Sequence, residues 1–73
     1  METITVKQWP AGNGLPDFSV RKVANGAVEV VAGNYKECPR VENGSVVYAR
    51  PELFPRPVKA AAYRVLKELG HVS

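Results

Sequence analysis

Two of the three Asn-Gly dipeptides, Asn25-Gly26 and Asn43-Gly44, constrain the fold of this 73-residue chain more than any other feature. The first lies between two runs that are rich in β-branched and apolar residues. An Asn-Gly pair in this setting favours a two-residue type I′ turn, because both positions tolerate a positive φ. The sequence therefore predicts two tight antiparallel hairpins.

Each two-residue loop also fixes which residues pair across the strands. In the first hairpin Val23 should lie opposite Val28, and Lys22 opposite Glu29, an opposite-charge pair that stabilises antiparallel strands. In the second hairpin the predicted pairs are Glu42 with Ser45, Val41 with Val46, and Arg40 with Val47. Pro39 has no N–H to donate, so we expect a short strand or an edge strand before the second turn.

The first seventeen residues have the pattern of a strand followed by a loop. Ile4 and Val6 alternate with polar neighbours, which is typical of a half-buried strand. Prolines and glycines between Pro10 and Pro16 interrupt regular structure. We therefore expect a flexible loop at about residues 10–17.

The C-terminal segment has the pattern of one amphipathic helix. Pro57 suits the first helical turn, because its φ is already helical and its missing N–H is not needed there. Gly70 is placed to follow the last helical residue. The apolar residues between them fall on one stripe: Val58, Ala61, Ala62, Val65, Leu66 and Leu69.

Together these patterns predict one α+β domain over residues 1–73, with a small antiparallel sheet of three to five short strands and one C-terminal amphipathic helix. The helix should cover one face of the sheet. The chain has a single cysteine and cannot form an internal disulfide, so packing must stabilise this small domain. The residues expected in the core include Val6, Val28, Val65, Leu66 and Leu69.

The net charge of +3 is carried by the predicted helix. The chain has ten Lys and Arg and seven Asp and Glu; four of these bases and one acid lie in the helix, so the remaining six and six cancel. A neutral body with one cationic face is typical of a macromolecular contact surface.

The candidate binding residues follow from this charge distribution. On a helical wheel one face, opposite the apolar stripe, carries Arg56, Lys59, Tyr63, Arg64 and Lys67. It is either a solvated outer face or a docking face for an acidic protein surface or phosphates, with Tyr63 as an aromatic anchor. Trp9, the only tryptophan, either covers the end of the sheet or is an exposed interface residue.

Residues that support catalysis or metal binding are few and scattered. Cys38 has no neighbouring histidine to form its thiolate, and His71 is the only histidine. The Gly-Asn-Gly segment at 12–14 lacks the Lys-Ser/Thr pair of a phosphate loop. We therefore expect a non-enzymatic protein without metal or cofactor. The alternating, charged amino end and the absence of a long apolar run predict a soluble, cytoplasmic protein that does not enter a membrane.

Three parts of the chain carry a resemblance to known proteins: the opening METITVKQWP, the two Asn-Gly hairpins and the closing RPVKAAAYRVLKELG. In these, and in length and layout, the chain resembles the small transcription regulators that lytic bacteriophages encode to bind host bacterial RNA polymerase. The resemblance implies a protein of the host cytoplasm that docks on the large β or β′ subunits. It also implies interference with σ-factor-dependent initiation, and antitermination as a further activity. No residue role carries over, because no shared motif fixes the correspondence.

A second class of function stays open at this point: a small nucleic-acid-binding domain that uses the basic face of the helix. A charge of +3 is low for a dedicated DNA-binding protein of this size, which favours a protein partner. Salt dependence distinguishes the two classes, because phosphate contacts weaken steeply as salt rises. We expect a monomer in either case.

Overall fold

The structure is a computed structural model and describes residues 3–24 and 26–72. The strands are β1 (Ile4–Trp9), β2 (Phe18–Lys22), β3 (Val28–Ala32), β4 (Tyr35–Glu37), β5 (Arg40–Glu42) and β6 (Ser45–Val47). A 3₁₀ turn (Pro51–Leu53) precedes the helix α1 (Arg56–Glu68). No helix of the described residues is long and apolar enough to cross a membrane.

The first four strands form one antiparallel sheet in the order β1-β2-β3-β4, and β5 and β6 form a separate two-stranded sheet. Helix α1 lies against the central strands β2 and β3. The predicted α+β class is confirmed. The strands are divided between two sheets, because the second hairpin packs beside the core instead of extending the first sheet.

The register predicted for the first hairpin is wrong by one residue. Lys22 lies opposite Val28, and Arg21 lies opposite Glu29. The ion pair across the strands is therefore made by Arg21, whose Nη1 lies 3.4 Å from Oε1 of Glu29. An opposite-charge pair does bridge β2 and β3, but it uses the neighbouring cation.

The length of the first loop explains the shift. The N–H of Val23 donates to the carbonyl of Ala27 at 3.0 Å, which leaves three residues in the loop instead of two. Gly26 has a φ of +82°, as expected where a three-residue loop ends in a left-handed glycine. Asn25, to which the type I′ prediction also applied, lies outside the described residues.

The second hairpin has the predicted register: Arg40 opposite Val47, Val41 opposite Val46, and Glu42 opposite Ser45. Both turn residues have positive φ, +53° for Asn43 and +78° for Gly44, as a type I′ turn requires. Strand β5, which follows Pro39, is only three residues long, as predicted.

Two further tight turns were not predicted. Gly33 and Asn34 join β3 to β4, with Ala32 opposite Tyr35. A second turn lies within the segment expected to be a flexible loop, where the Gly12 N–H and the Leu15 N–H each donate to the other residue's carbonyl, at 3.2 and 2.9 Å. The flexibility of residues 10–17 stays a prediction.

The core lies between α1 and the inner face of the four-stranded sheet. The predictions for Val28, Val65 and Leu66 are confirmed, since each is almost fully buried. The other buried apolar residues of this cluster are Phe18, Val20, Val30, Ala32, Phe54, Val58, Ala62 and Val72. Tyr48, Val41 and Val46 pack against it from the second hairpin.

The core predictions for Val6 and Leu69 are wrong, since their exposed fractions are 44% and 37%. The pairing of β1 with β2 shifts between Thr5 and Lys7, so Val6 is the extra residue of a β-bulge and lies outside the regular alternation. Leu69 is the C-cap residue of α1, at the point where the helix ends.

The chain turns back sharply after α1. The Gly70 N–H bonds the Lys67 carbonyl and the His71 N–H bonds the Leu66 carbonyl, at 3.1 and 2.9 Å, while Gly70 has a φ of +88°. This is the Schellman arrangement and confirms Gly70 as the residue that follows the helix. The turn buries Val72 in the core.

Candidate partner-binding surface

The four cations of α1 make no ion pair within the described residues. The ion pairs of residues 3–24 and 26–72 involve other cations, namely Arg21, Arg40 and Arg50. The four helix cations are therefore not held in close ion pairs by this part of the chain. A cationic face of this kind attracts an acidic surface or phosphate groups.

An open groove of about 660 Å³ lies between the second hairpin and α1. Residues 44–48 line one side, and Arg56, Lys59, Ala60 and Tyr63 line the other, together with Pro51. Three of the six predicted site residues, Arg56, Lys59 and Tyr63, thus meet in one groove. Its two cations are combined with a mainly apolar lining, which fits a protein segment with both acidic and apolar side chains.

Tyr48 connects this groove to the core. Its ring lies 5.7 Å from the ring of the buried Phe54, and the Nζ of Lys59 lies 5.8 Å from its centre, within cation–π distance. Burial raises the pKa of Tyr48 to about 12, and the carboxylate of Glu37 adds to the effect. The Tyr48 hydroxyl is buried and finds no hydrogen-bond partner among the described residues.

The other predicted site residues lie elsewhere. Arg64 lines a second depression with Trp9 and Val6, and the structure does not bring Lys67 into either surface. Trp9 is half-buried and packs against the core, while the Nζ of Lys7 lies 5.6 Å from its ring centre. The predicted residues therefore do not all line one groove: Arg64 and Trp9 line the second depression, and Lys67 lines neither.

Glu37 holds the segment that leads from β6 to α1. Its carboxylate accepts hydrogen bonds from the Tyr35 hydroxyl (2.7 Å), the Ala49 N–H (2.6 Å) and the Arg50 N–H (3.1 Å). Partial burial raises the pKa of Glu37, but these three bonds outweigh it and hold the pKa below its ordinary value. This carboxylate thus ties the segment that follows the second hairpin to β4.

The thiol of Cys38 is exposed, but its pKa is raised by partial burial and by the carboxylates of Glu29 and Glu37. A raised pKa leaves little of the nucleophilic thiolate at neutral pH. Within residues 3–24 and 26–72 no three His, Cys, Asp or Glu residues come together as metal ligands.

Sequence analysis missed the contribution of the second hairpin to this surface. Tyr48 and Val46 line the groove, yet no periodic pattern marks them as binding residues. The strand register around the Asn43-Gly44 turn could be predicted from the sequence, but the position of that hairpin beside the helix depends on tertiary packing.

Comparison with known proteins gives no relative: no protein family, no curated protein and no solved structure matches this chain.

Proposed function

We propose that this protein is a non-enzymatic regulator that binds bacterial RNA polymerase on its large subunits and interferes with σ-factor-dependent initiation. The single observation that carries the proposal of protein binding is the cationic face of α1, whose four basic residues make no ion pair among the described residues. The choice of polymerase as the partner follows from the whole-chain resemblance to phage transcription regulators.

The chemistry of the groove favours protein over nucleic acid. Arg56 and Lys59 stand beside Tyr48, Ala60 and Tyr63, and a mixed surface of this kind matches the composition of protein interfaces. Phosphate recognition relies on several cations that line one path. Here Arg64 lies with Trp9, away from that groove.

Transcription in vitro tests the function directly. The wild-type protein, added to purified bacterial holoenzyme, should reduce run-off transcription from a σ-dependent promoter. Transcription by core polymerase from a template with a single-stranded tail needs no σ factor and should continue. Increased read-through of a terminator would add antitermination to the proposal. Equal transcription with and without the protein on all three templates would contradict it.

The nucleic-acid alternative makes a distinct prediction about salt. Binding through phosphates should lose about 0.9 logarithmic units of affinity per logarithmic unit of salt for each contact. This alternative would be favoured if the protein bound duplex DNA tightly without polymerase, and if the salt dependence of that affinity corresponded to about three or four phosphate contacts.

A further inference from the structure

The free edge of β6 is one wall of the groove between the second hairpin and α1. In a two-residue hairpin the pair that closes the turn is hydrogen-bonded, and bonded and non-bonded pairs then alternate. With the observed register, Val41 and Val46 form the non-bonded pair. The N–H and C=O of Val46 therefore point away from β5, and no other backbone hydrogen bond within the described residues uses them.

The opposite wall of the groove supplies charge and apolar surface. Arg56 and Lys59 line it without an ion pair among the described residues. Tyr63 is an exposed aromatic residue, with an exposed fraction of 41%. Tyr63 and Ala60 add apolar surface to the same wall of the groove.

We propose that this groove binds an extended, acidic segment of a partner protein, which adds as a strand to the free edge of β6. Backbone pairing with Val46 fixes the segment, its carboxylates contact Arg56 and Lys59, and an apolar side chain packs on Tyr63. Strand addition to an exposed edge is a general mode of peptide recognition, in which the backbone gives affinity and alternate side chains give specificity. The inference rests on the proposed function, because it specifies how the partner is recognised.

A synthetic peptide tests this mode without polymerase. The probe is a peptide of about eight residues in which glutamate alternates with leucine or phenylalanine, because side chains of a strand alternate between two faces. Added to ¹⁵N-labelled protein, it should shift the amide resonances of residues 44–48 and 56–63. Amide hydrogen exchange should slow about tenfold or more at Val46, as expected for a newly bonded N–H. Val41, whose N–H points away on the other edge of the same hairpin, is the internal control and should exchange as before.

Two pairs of variants separate the groove from the general charge of the protein. Arg56→Glu with Lys59→Glu should weaken peptide binding about tenfold, whereas Lys22→Glu with Lys36→Glu, an equal change in net charge on β2 and β4, should weaken it less than about threefold. Amide resonance dispersion of each variant reports whether it is folded. A peptide N-methylated at alternate residues keeps its charges but loses backbone donors, and should not bind.

Several results would overturn the inference. These are absence of peptide binding, unchanged exchange at Val46 in the bound state, an equal effect of the two variant pairs, or full binding of the N-methylated peptide. A duplex oligonucleotide that occupied the groove more tightly than the peptide would also overturn it. If the peptide binds and polymerase does not, the partner in the proposed function is wrong while this mode of recognition stands. If polymerase binds and the groove variants retain full affinity for it, the partner in the proposed function stands while this mode of recognition is wrong.

Discussion

Replacing Glu37 by glutamine should destabilise the domain by about 1–2 kcal/mol at neutral pH. The carboxylate accepts three hydrogen bonds, from Tyr35, Ala49 and Arg50. Glutamine has one acceptor oxygen, so at least one donor loses its partner and the other bonds lose their charge. A hydrogen bond to a charged group contributes about 1.5–3 kcal/mol net to stability. We expect a smaller loss here, because the hydrogen bonds from Ala49 and Arg50 are exposed to water. The total free energy of unfolding of a domain of this size is about 4–11 kcal/mol.

The same variant has a pH signature. The pKa of Glu37 in the folded protein lies below its ordinary value of 4.5, because the three hydrogen bonds outweigh desolvation. A carboxyl with a lowered folded-state pKa stabilises the protein fully above its unfolded-state pKa, and this contribution is lost as the pH falls through the folded-state value. The difference in stability between wild type and Glu37→Gln should therefore be constant near neutrality and shrink below about pH 4.5.

Urea denaturation followed by circular dichroism at pH 7 and at steps down to about pH 3 measures this difference. Glu52→Gln is the matched control, since that carboxylate is exposed and bonds the Arg50 side chain at 3.1 Å. The control should change stability little. A Glu37→Gln protein as stable as wild type at pH 7, or a difference independent of pH, would refute the role given to Glu37.

Four other substitutions test the fold. Leu66→Ala should cost about 2–5 kcal/mol in urea denaturation. Leu69→Ala should cost less, because Leu69 is 37% exposed and Leu66 only 3%; equal losses would contradict the assigned core. Gly44→Val forces a β-branched residue to a φ near +78° and should cost about 1–3 kcal/mol; an unchanged thermal melting curve would exclude the positive φ. Tyr48→Phe removes a buried hydroxyl without a described partner, so stability should be unchanged or higher by up to about 1 kcal/mol. A clear loss would show that this hydroxyl is bonded.

Turn chemistry predicted part of the fold from local residues alone. The register around Asn43-Gly44 follows from two residues that both adopt positive φ. At the first hairpin the pairing of Val23 with Ala27 makes the loop one residue longer than predicted, because the sequence is compatible with either length and the strands decide between them. Gly33-Asn34 is also a recognised hairpin dipeptide, so that turn was readable but overlooked.

Burial was less predictable than secondary structure. Val6 lies in a strand as expected, but a bulge on an edge strand removes it from the alternation. Leu69 ends the apolar stripe, yet Val72 fills the core after the chain reverses at Gly70. Both outcomes depend on contacts between distant segments, as does the meeting of Tyr48 with the helix. The cations of α1 were predictable because helical periodicity alone places them on one face.

Association kinetics with purified RNA polymerase test most directly the central claim that the cationic face of α1 carries partner binding. Surface plasmon resonance compares wild type with two folded variants of equal net charge. Each variant reverses three cations to glutamate: Lys59, Arg64 and Lys67 on the helix, or Lys22, Lys36 and Arg40 on the strands. The helix variant should associate about tenfold more slowly than wild type or worse, and the strand variant within about threefold of it. A helix variant that circular dichroism shows to be folded, and that associates at the wild-type rate, would contradict the claim.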